Sequence, residues 1–366
     1  MKFVQLNTIC NFKQWKTIPT KELKDNGFPV WGANGIIGYS DEFNHTDPTI
    51  MICCRGATCG AINVSSGRCY INGNAMCVDK LSKEYSMDFI AYFLKHYDFS
   101  GIITGAAQPQ ITQNGLAKIF IPKMSIEEQN HLASDLQKIE KAISVKKKEL
   151  NFLDDLVKSR FIEMFGTFPS NEHSWDTGTI RDIVTDVKYG SSRKAATGNN
   201  GKYPYLRMNN ITYDGHLDLS DVKTIDIPDN EVEKCSVRYG DILFNRTNSR
   251  ELVGKTCVYN RNELMILAGF IIRVRVNERI IPEFLSAFLN MDFSKQMLFG
   301  MCKKAIGQAN INAQEMQSIG IYIPPIELQN EFAEFVKLTD KSKFIVQKQI
   351  EDLQELLDSK MDEYFG

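Results

Sequence analysis

The chain has 366 residues, 24% of them charged, and a net charge of −2. That length leaves room for two domains, each with its own core, besides additional helices. No run of about 18 apolar residues occurs and the N-terminus lacks a signal-peptide pattern, which argues against a spanning helix and secretion and leads us to expect a soluble, cytoplasmic protein. The cysteines number nine, five of them between Cys53 and Cys77, with no C-x2-C pair and few histidines nearby. Reduced thiols in the strands of a cytosolic protein are the expectation, and no metal site.

In chain order, residues 3–9 open the first segment without any run-up. Residues 27–39 are punctuated by glycine and read as short strands and turns. Residues 49–54 form a buried strand running into Arg55-Gly56-Ala57-Thr58-Cys59-Gly60, a tight polar loop. Residues 86–97 have helical periodicity. The polar run 108–114 and a strand at 119–121, closed by Pro122, complete the segment, and a helix is predicted over 126–164. The second segment has the same grammar. Ile180 and Ile183 mirror Leu6 and Ile9, residues 203–211 answer the strand at Phe28, and residues 239–248 answer the strand and loop at 49–60. A β-rich run at 268–276 and helical periodicity over 281–299 follow. Asn312-x-x-Glu315 is a capping box that starts a short helix, with Thr112 at the equivalent N-cap.

The correspondence is an internal repeat. Residues 108–166 overlay residues 308–366 without a gap, at a 200-residue period. Ile111, Ile119 and Ile121 fall on Ile311, Ile319 and Ile321. Ile126, Glu127, Gln129 and Asn130 fall on Ile326, Glu327, Gln329 and Asn330, and Phe165-Gly166 falls on Phe365-Gly366. A repeat dictates architecture before chemistry is considered.

Each copy ends in a proline-free helix, roughly 55–60 Å long at about 1.5 Å per residue. Alternate steps of three and four residues give Leu132, Leu136, Ile139, Ile143, Lys146, Leu150, Leu153, Val157, Arg160 and Met164. The second copy gives Phe332, Val336, Thr339, Lys343, Val346, Ile350, Leu353, Leu357, Lys360 and Tyr364. Such narrow apolar stripes are coiled-coil seams, most simply paired with each other; the alternative is a zipper between separate chains. The expected boundaries are a domain at 1–122, a spacer helix at 123–166, a second domain at 167–325 and a spacer helix at 326–366. The expected class is α/β (α+β): two similar, twisted, β-rich domains joined by two long antiparallel coiled-coil helices.

Net charge by segment is +2, 0, +1 and −5, so the acidity sits in the last helix and charge alone gives no argument for nucleic acid. Catalytic patterns fail on inspection. Ser249-x4-Gly254-Lys255-Thr256 lacks the first glycine of a phosphate loop. Asp186-x-Lys188 and Asp221-x-Lys223 precede the only Pro-Asp pair (Pro228-Asp229), the wrong order for a metal nuclease. Pro324-Pro325 lacks the flanking residues with which an amino-methyltransferase grips a base, and no HExxH occurs. The chain reads as catalytically empty. Polar and basic loops stand out instead, and ten of the thirteen arginines lie in the second domain. Arginine pairs bidentately with guanine, and Asn or Gln with adenine. The candidates in the first domain are Asn34, Arg55, Thr58, Gln108, Gln110, Gln113 and Asn114. Those in the second are Lys188, Ser191, Arg193, Lys194, Arg207, Asn209, Arg246, Asn248 and Arg250.

With these motifs in place, the chain resembles the specificity (S) subunit of type I restriction-modification enzymes over its whole length. The wording that carries the resemblance is Pro29-Val30-Trp31-Gly32-Ala33-Asn34-Gly35-Ile36-Ile37-Gly38, Arg55-Gly56-Ala57-Thr58-Cys59-Gly60 and Gly240-Asp241-Ile242-Leu243-Phe244. The strand-Pro-Ile-Glu-x-Gln opening of each helix and its Phe-Gly close belong to it too. The one departure is that the sequence starts directly at the first domain. The resemblance implies two target recognition domains with pseudo-twofold symmetry, each reading one half of a bipartite double-stranded DNA sequence, with the helices setting the gap. It implies docking of two methyltransferase (M) subunits that bring S-adenosylmethionine and flip the target adenine, joined by restriction (R) subunits with translocase and nuclease activity, in a prokaryotic cytoplasm. S-adenosylmethionine, ATP and Mg would be bound by those partners and no cofactor by this chain. The rival readings are a coiled-coil scaffold without DNA specificity and a self-sufficient nuclease or methyltransferase.

Overall fold

The structure, a computed structural model, describes residues 2–105, 108–302 and 308–366, and of Asn199 the backbone alone. It mixes helix and sheet in two compact units, Met1–Lys147 with Lys348–Gly366, and Lys148–Gln347. Among the described residues no helix is long and apolar enough to cross a membrane.

The first unit opens with β1 (Lys2–Gln5), β2 (Asn11–Lys13), the hairpin β3 (Phe28–Gly32) and β4 (Gly35–Ser40), β5 (Ile50–Cys53), β6 (Ile62–Val64), β7 (Tyr70–Ile71) and β8 (Ala75–Asp79). Helix α1 (Met87–His96), the single turn α2 (Gln113–Leu116), β9 (Phe120–Lys123) and the long α3 (Ile126–Phe165) follow. Its largest sheet has the order β2-β8-β5-β6, all antiparallel. All four residues of β5 are buried because both faces of the sheet are covered. Ile50 and Ile52 pack with α1 residues Phe89, Ile90 and Phe93, while Met51 between them joins Cys69, Ile71 and Cys77 on the other face, the two-residue period of a strand. Pro122, placed by the sequence just past its strand, sits inside β9 opposite Phe3. A two-stranded ladder tolerates it, since an edge strand points every second N–H away from its partner.

The second unit contains β10 (Asp176–Thr179), β11 (Val184–Tyr189), β12 (Tyr203–Leu206), β13 (Lys223–Ile225), α4 (Asp229–Cys235), β14 (Ser236–Val237), β15 (Ile242–Asn245), β16 (Thr247–Asn248), β17 (Thr256–Val258), β18 (Met265–Leu267) and β19 (Ile271–Val276). Helices α5 (Pro282–Asn290) and α6 (Asp292–Met301), β20 (Ala309–Asn310), α7 (Ala313–Gln317), β21 (Gly320–Ile323) and the long α8 (Ile326–Phe365) follow; α3 from Lys148 on belongs to this unit, and α8 from Lys348 on to the first. The sheet β11-β19-β15-β17 repeats the plan of β2-β8-β5-β6. The parallel pair β12–β18 repeats β3–β7, and β10–β21 repeats β1–β9.

The repeat holds to single hydrogen bonds. Leu6 N donates to Ile119 O at 2.9 Å, as Ile180 N does to Ile319 O; Gly60 N donates to Cys53 O at 2.8 Å, as Gly254 N does to Asn245 O. Gln129 and Gln329 are fully buried with the same three partners. Gln129 Oε1 accepts from Ser86 N (2.9 Å) and its Nε2 donates to Glu84 O and Met124 O. Gln329 Oε1 accepts from Ile281 N (2.9 Å) and its Nε2 donates to Arg279 O and Pro324 O. Thr112 caps α2, and Asn312 with Glu315 forms a full capping box on α7.

The long helices end on aromatic cores. In the second unit Phe161 and Phe165 of α3 pack on Phe284 and Phe332, with ring centroids 4.8–5.6 Å apart. In the first unit Phe365 of α8 packs on Phe89 and Phe93 at 5.4 and 5.8 Å. All the seam positions, Leu136, Ile139, Ile143, Leu150, Leu153, Val157, Val336, Val346, Ile350, Leu353 and Leu357 included, are buried or half-buried. Within the second unit Arg160 pairs with Glu331 (2.8 Å) and Asp154 with Lys343, so these helix segments run antiparallel.

Replacing Gln329 with Ala removes the partners of the Ile281 N–H, the Arg279 carbonyl and the buried Pro324 carbonyl. We expect a loss of about 2–4 kcal/mol, from about 1–3 kcal/mol per unsatisfied buried group with some relaxation. Urea unfolding of the full chain checks this, and an unchanged midpoint would rule out the clamp.

Candidate nucleic-acid interface

In the first unit the β3–β4 hairpin and the loop after β5 face each other across a cleft of about 590 Å³. The hairpin turns through Ala33-Asn34 between paired Gly32 and Gly35. The loop turns at Gly56, whose φ of +87° favours glycine and whose N–H reaches Pro109 O. Residues 32–37, 55–58, Asn72, Asn74 and Gln108 line the cleft, and no carboxylate is among them. Asn34, Arg55, Thr58 and Gln108, four of the candidates read from sequence, are therefore brought together, all exposed. Gln110 lies beneath them, its backbone bridged to Arg55 and Thr104. Gln113 is turned away, its amide donating to Phe12 O at 2.9 Å, which fastens α2 to β2. Asn114 is exposed on the same turn. The sequence did not single out Asn74, nor Ile36 and Ile37, both half-exposed on the cleft wall.

The equivalent loop of the second unit carries Arg246, Asn248 and Arg250. Arg246 lies over the Tyr189 ring (4.8 Å), and Tyr189 is in turn held by the N–H of Ala313 (2.9 Å). Asn248 is tied to Asn245, and Arg250 is laid over Phe299 with Nε donating to its carbonyl. Arg207 donates to the Asp221 carboxylate at 2.7 Å, a hydrogen bond that holds the Asp221 carboxyl below its usual range. Asn209 is exposed beside it, while its neighbour Asn210, missed in the sequence, is buried and bonds Arg207 N, Asp218 O and Asp221 O.

The candidates around β11 lie elsewhere. Lys188 and Asp186 leave the face opposite Tyr189, with Lys188 Nζ 3.5 Å from Asp186. Burial pushes the Asp186 carboxyl up, but the hydrogen bond and charge of Arg273 outweigh it and hold it low, so Asp186 is an ion-pair partner. Ser191 is buried, its oxygen accepting from Arg193 N, so it braces the turn instead of facing solvent. Gly190 has no room for a side chain there, since a Cβ would meet Leu267 O at 2.2 Å. Arg193 forms a two-point pair with Glu231, and Lys194 is exposed.

Lys255, of the apparent phosphate loop, is buried and donates to Met208 O (3.0 Å) and Ile211 O (2.5 Å). Its desolvation lowers the amine pKa. It fastens the turn that carries Arg207 and Asn209 to the strand that closes the Arg246 loop, and it offers no phosphate cradle.

Two similar mixed domains, each with one long helix, define a class seen in solved structures. The chain superposes over its full length on the type I restriction-modification S subunit from M. genitalium (TM-score 0.59, 16% identity, 96% of that chain). It likewise superposes on a chain from a study of complex assembly and conformational transition of the type I R-M system (TM-score 0.61, 16% identity, 97% of that chain). The family model for the type I restriction modification DNA specificity domain matches residues 1–154 and 172–355, and the chain belongs to that family. Among named relatives, the putative type I restriction enzyme MjaX specificity subunit of Methanocaldococcus jannaschii is 27% identical over 52% of this chain and 45% of its own length. The type I restriction enzyme EcoKI specificity subunit of Escherichia coli is 22% identical over 72% of this chain and 60% of its own. The chain thus spans about half the length of these relatives.

Substituting Lys255 with Met leaves two buried carbonyls unpaired. We expect a stability loss of about 1–3 kcal/mol and no change in affinity for ATP, checked by urea unfolding and calorimetric titration. A measurable loss of ATP binding would restore the phosphate-loop reading.

Proposed function

We propose that the chain is the DNA sequence-specificity subunit of a type I restriction-modification complex, in which each domain reads one half of a bipartite target. One observation carries this. The two domains share a backbone down to single hydrogen bonds, yet equivalent loop positions carry different side chains: the carbonyl that accepts from Ile111 belongs to Cys54, a buried thiol, and the one that accepts from Ile311 belongs to Arg246, a cation over the Tyr189 ring. A common frame with divergent polar tips suits two readers of different half-sites. In the first domain the cleft of amides, Arg55 and no carboxylate suits base edges and phosphates. In the second, Arg246 on Tyr189 is a flat, preordered donor for a guanine edge.

In this reading the long helices pair along their seams as an antiparallel coiled coil and set the gap between half-sites. Their outer flanks dock methyltransferase subunits. In the second unit Phe152 and Phe344 are 70% and 72% exposed, with Leu156, Leu338 and Ile345 also exposed. These side chains lie off the seam, and apolar groups left in water on a helix flank mark a partner surface. S-adenosylmethionine, ATP and Mg belong to the methyltransferase and restriction partners, and the chain contributes recognition without catalysis.

A map of methylated adenines in cells with and without the gene tests the reading. One split motif, two defined halves around a fixed gap, should disappear with the gene. Exchanging residues 1–122 for those of a relative should alter one half only; an unaltered motif would favour a scaffold without DNA specificity. Arg246→Ala should cost about 1–3 kcal/mol on the half-site read by the second domain, whereas equal loss on every sequence would make it a phosphate contact. Phe152→Ser with Phe344→Ser should abolish co-purification of the methyltransferase while the chain stays folded, and retained co-purification would move the docking surface elsewhere.

A further inference from the structure

The first unit gathers a histidine, a cysteine and a carboxylate that the reading cleft does not use. Cys77 and Asp79 lie two residues apart on β8, so their side chains leave one face of the sheet. His45 arrives from the loop between β4 and β5, bridged to Cys69 by two backbone hydrogen bonds of 3.0 and 3.1 Å. The three potential ligand atoms lie within 4.8 Å of one another, and His45 Nε2 is 3.0 Å from Asp79 Oδ1. Cys77 is fully buried, and the His45 and Asp79 side chains are 9% and 14% exposed.

The hydrogen bonds fix one ring proton of His45. Ile71 N donates to Asn44 Oδ1 (2.8 Å) while Asn44 Nδ2 donates to Ile71 O (3.0 Å), which sets the orientation of the Asn44 amide. The atom 2.7 Å from His45 Nδ1 is therefore the amide oxygen, which can only accept, and Nδ1 carries the hydrogen. A neutral ring so held turns the lone pair of Nε2 onto a carboxylate oxygen. Two facing acceptors at that distance need a positive centre. Trp15 Nε1 donates to the other carboxylate oxygen (3.3 Å), and Lys13 lies over the Trp15 ring (3.4 Å) instead of between the pair. An imidazole with Nδ1–H steered by an outer oxygen and Nε2 turned to anionic neighbours is the arrangement of a metal-bound histidine.

We propose that His45 Nε2, Cys77 Sγ and a carboxylate oxygen of Asp79 bind one zinc ion. Zinc takes this donor set, at about 2.0–2.3 Å from each atom, so tetrahedral donors stand roughly 3.3–3.8 Å apart and small side-chain rotations close the site. On binding, the Cys77 thiol gives its proton to solvent and the sulfur bonds the metal as thiolate. With three protein donors a water molecule would complete the tetrahedron, and the role is to hold backbone segments together. The ion fastens the β4–β5 loop to β8, the strand that pairs with β5 and so supports the loop of Arg55.

The test uses the purified full chain, loaded with zinc and desalted, and the same chain loaded with cobalt after chelation. One zinc per chain and a thiolate-to-cobalt charge-transfer band are expected. Cys77→Ser should abolish the band and the bound metal, Cys69→Ser should keep both, and Asn44→Ala should weaken binding by about 10–100-fold. Circular dichroism establishes that each variant is folded, and the wild-type cobalt spectrum decides the matter even if one is not. A wild-type chain that retains no zinc and gives no band overturns the proposal; the positive centre would then be a proton on His45 Nε2, visible as a second ring N–H by NMR.

Discussion

At the root of each long helix a buried glutamine amide bonds the end of the preceding strand and a stretch of chain more than forty residues upstream. Gln129 joins the start of α3 to the end of β9 and to the segment that begins α1; Gln329 joins the start of α8 to the end of β21 and the segment that begins α5. A neutral amide suits the place because it both donates and accepts, whereas a carboxylate could satisfy only the N–H and a lysine only the carbonyls. Buried and fully satisfied, it fixes the direction in which the helix leaves its sheet.

The two domains tune one frame by different electrostatics. The first offers amides and a single arginine in a cleft whose lining includes no carboxylate. The second is rich in arginines, but two of the candidate residues are already paired, Arg193 with Glu231 and Arg207 with Asp221. Such pairs keep long cations ordered and lower the net charge each presents to solvent.

Much of the frame was legible because it is periodic. The stripes from Leu132 to Met164 and from Phe332 to Tyr364 sit where burial occurs, and the 200-residue overlay marked Gln129 and Gln329 as a matched pair. Their role was not legible, since Ser86, Glu84 and Met124 come to one amide only through the fold. The candidate site was legible by composition alone. Polar loops point toward or away from a cleft according to neighbours far away in sequence, so Asn34, Arg55, Thr58 and Gln108 meet in one cleft while Ser191 is buried and Gln113 turns to the Phe12 carbonyl. The tight loop at residues 55–60 announced itself through Gly56 and Gly60, both at positive φ.

The first unit is closed by Lys348–Gly366, a segment 200 residues downstream of Lys147. Leu357, Met361 and Phe365 complete the apolar surface of α1 and its neighbours. At a synthesis rate of about 5–20 residues per second, that surface waits roughly 10–40 s on the ribosome before its cover emerges. The domain made first is thus the last to be finished. Early termination anywhere between the two halves leaves it with an open hydrophobic face, the kind of surface that chaperones engage.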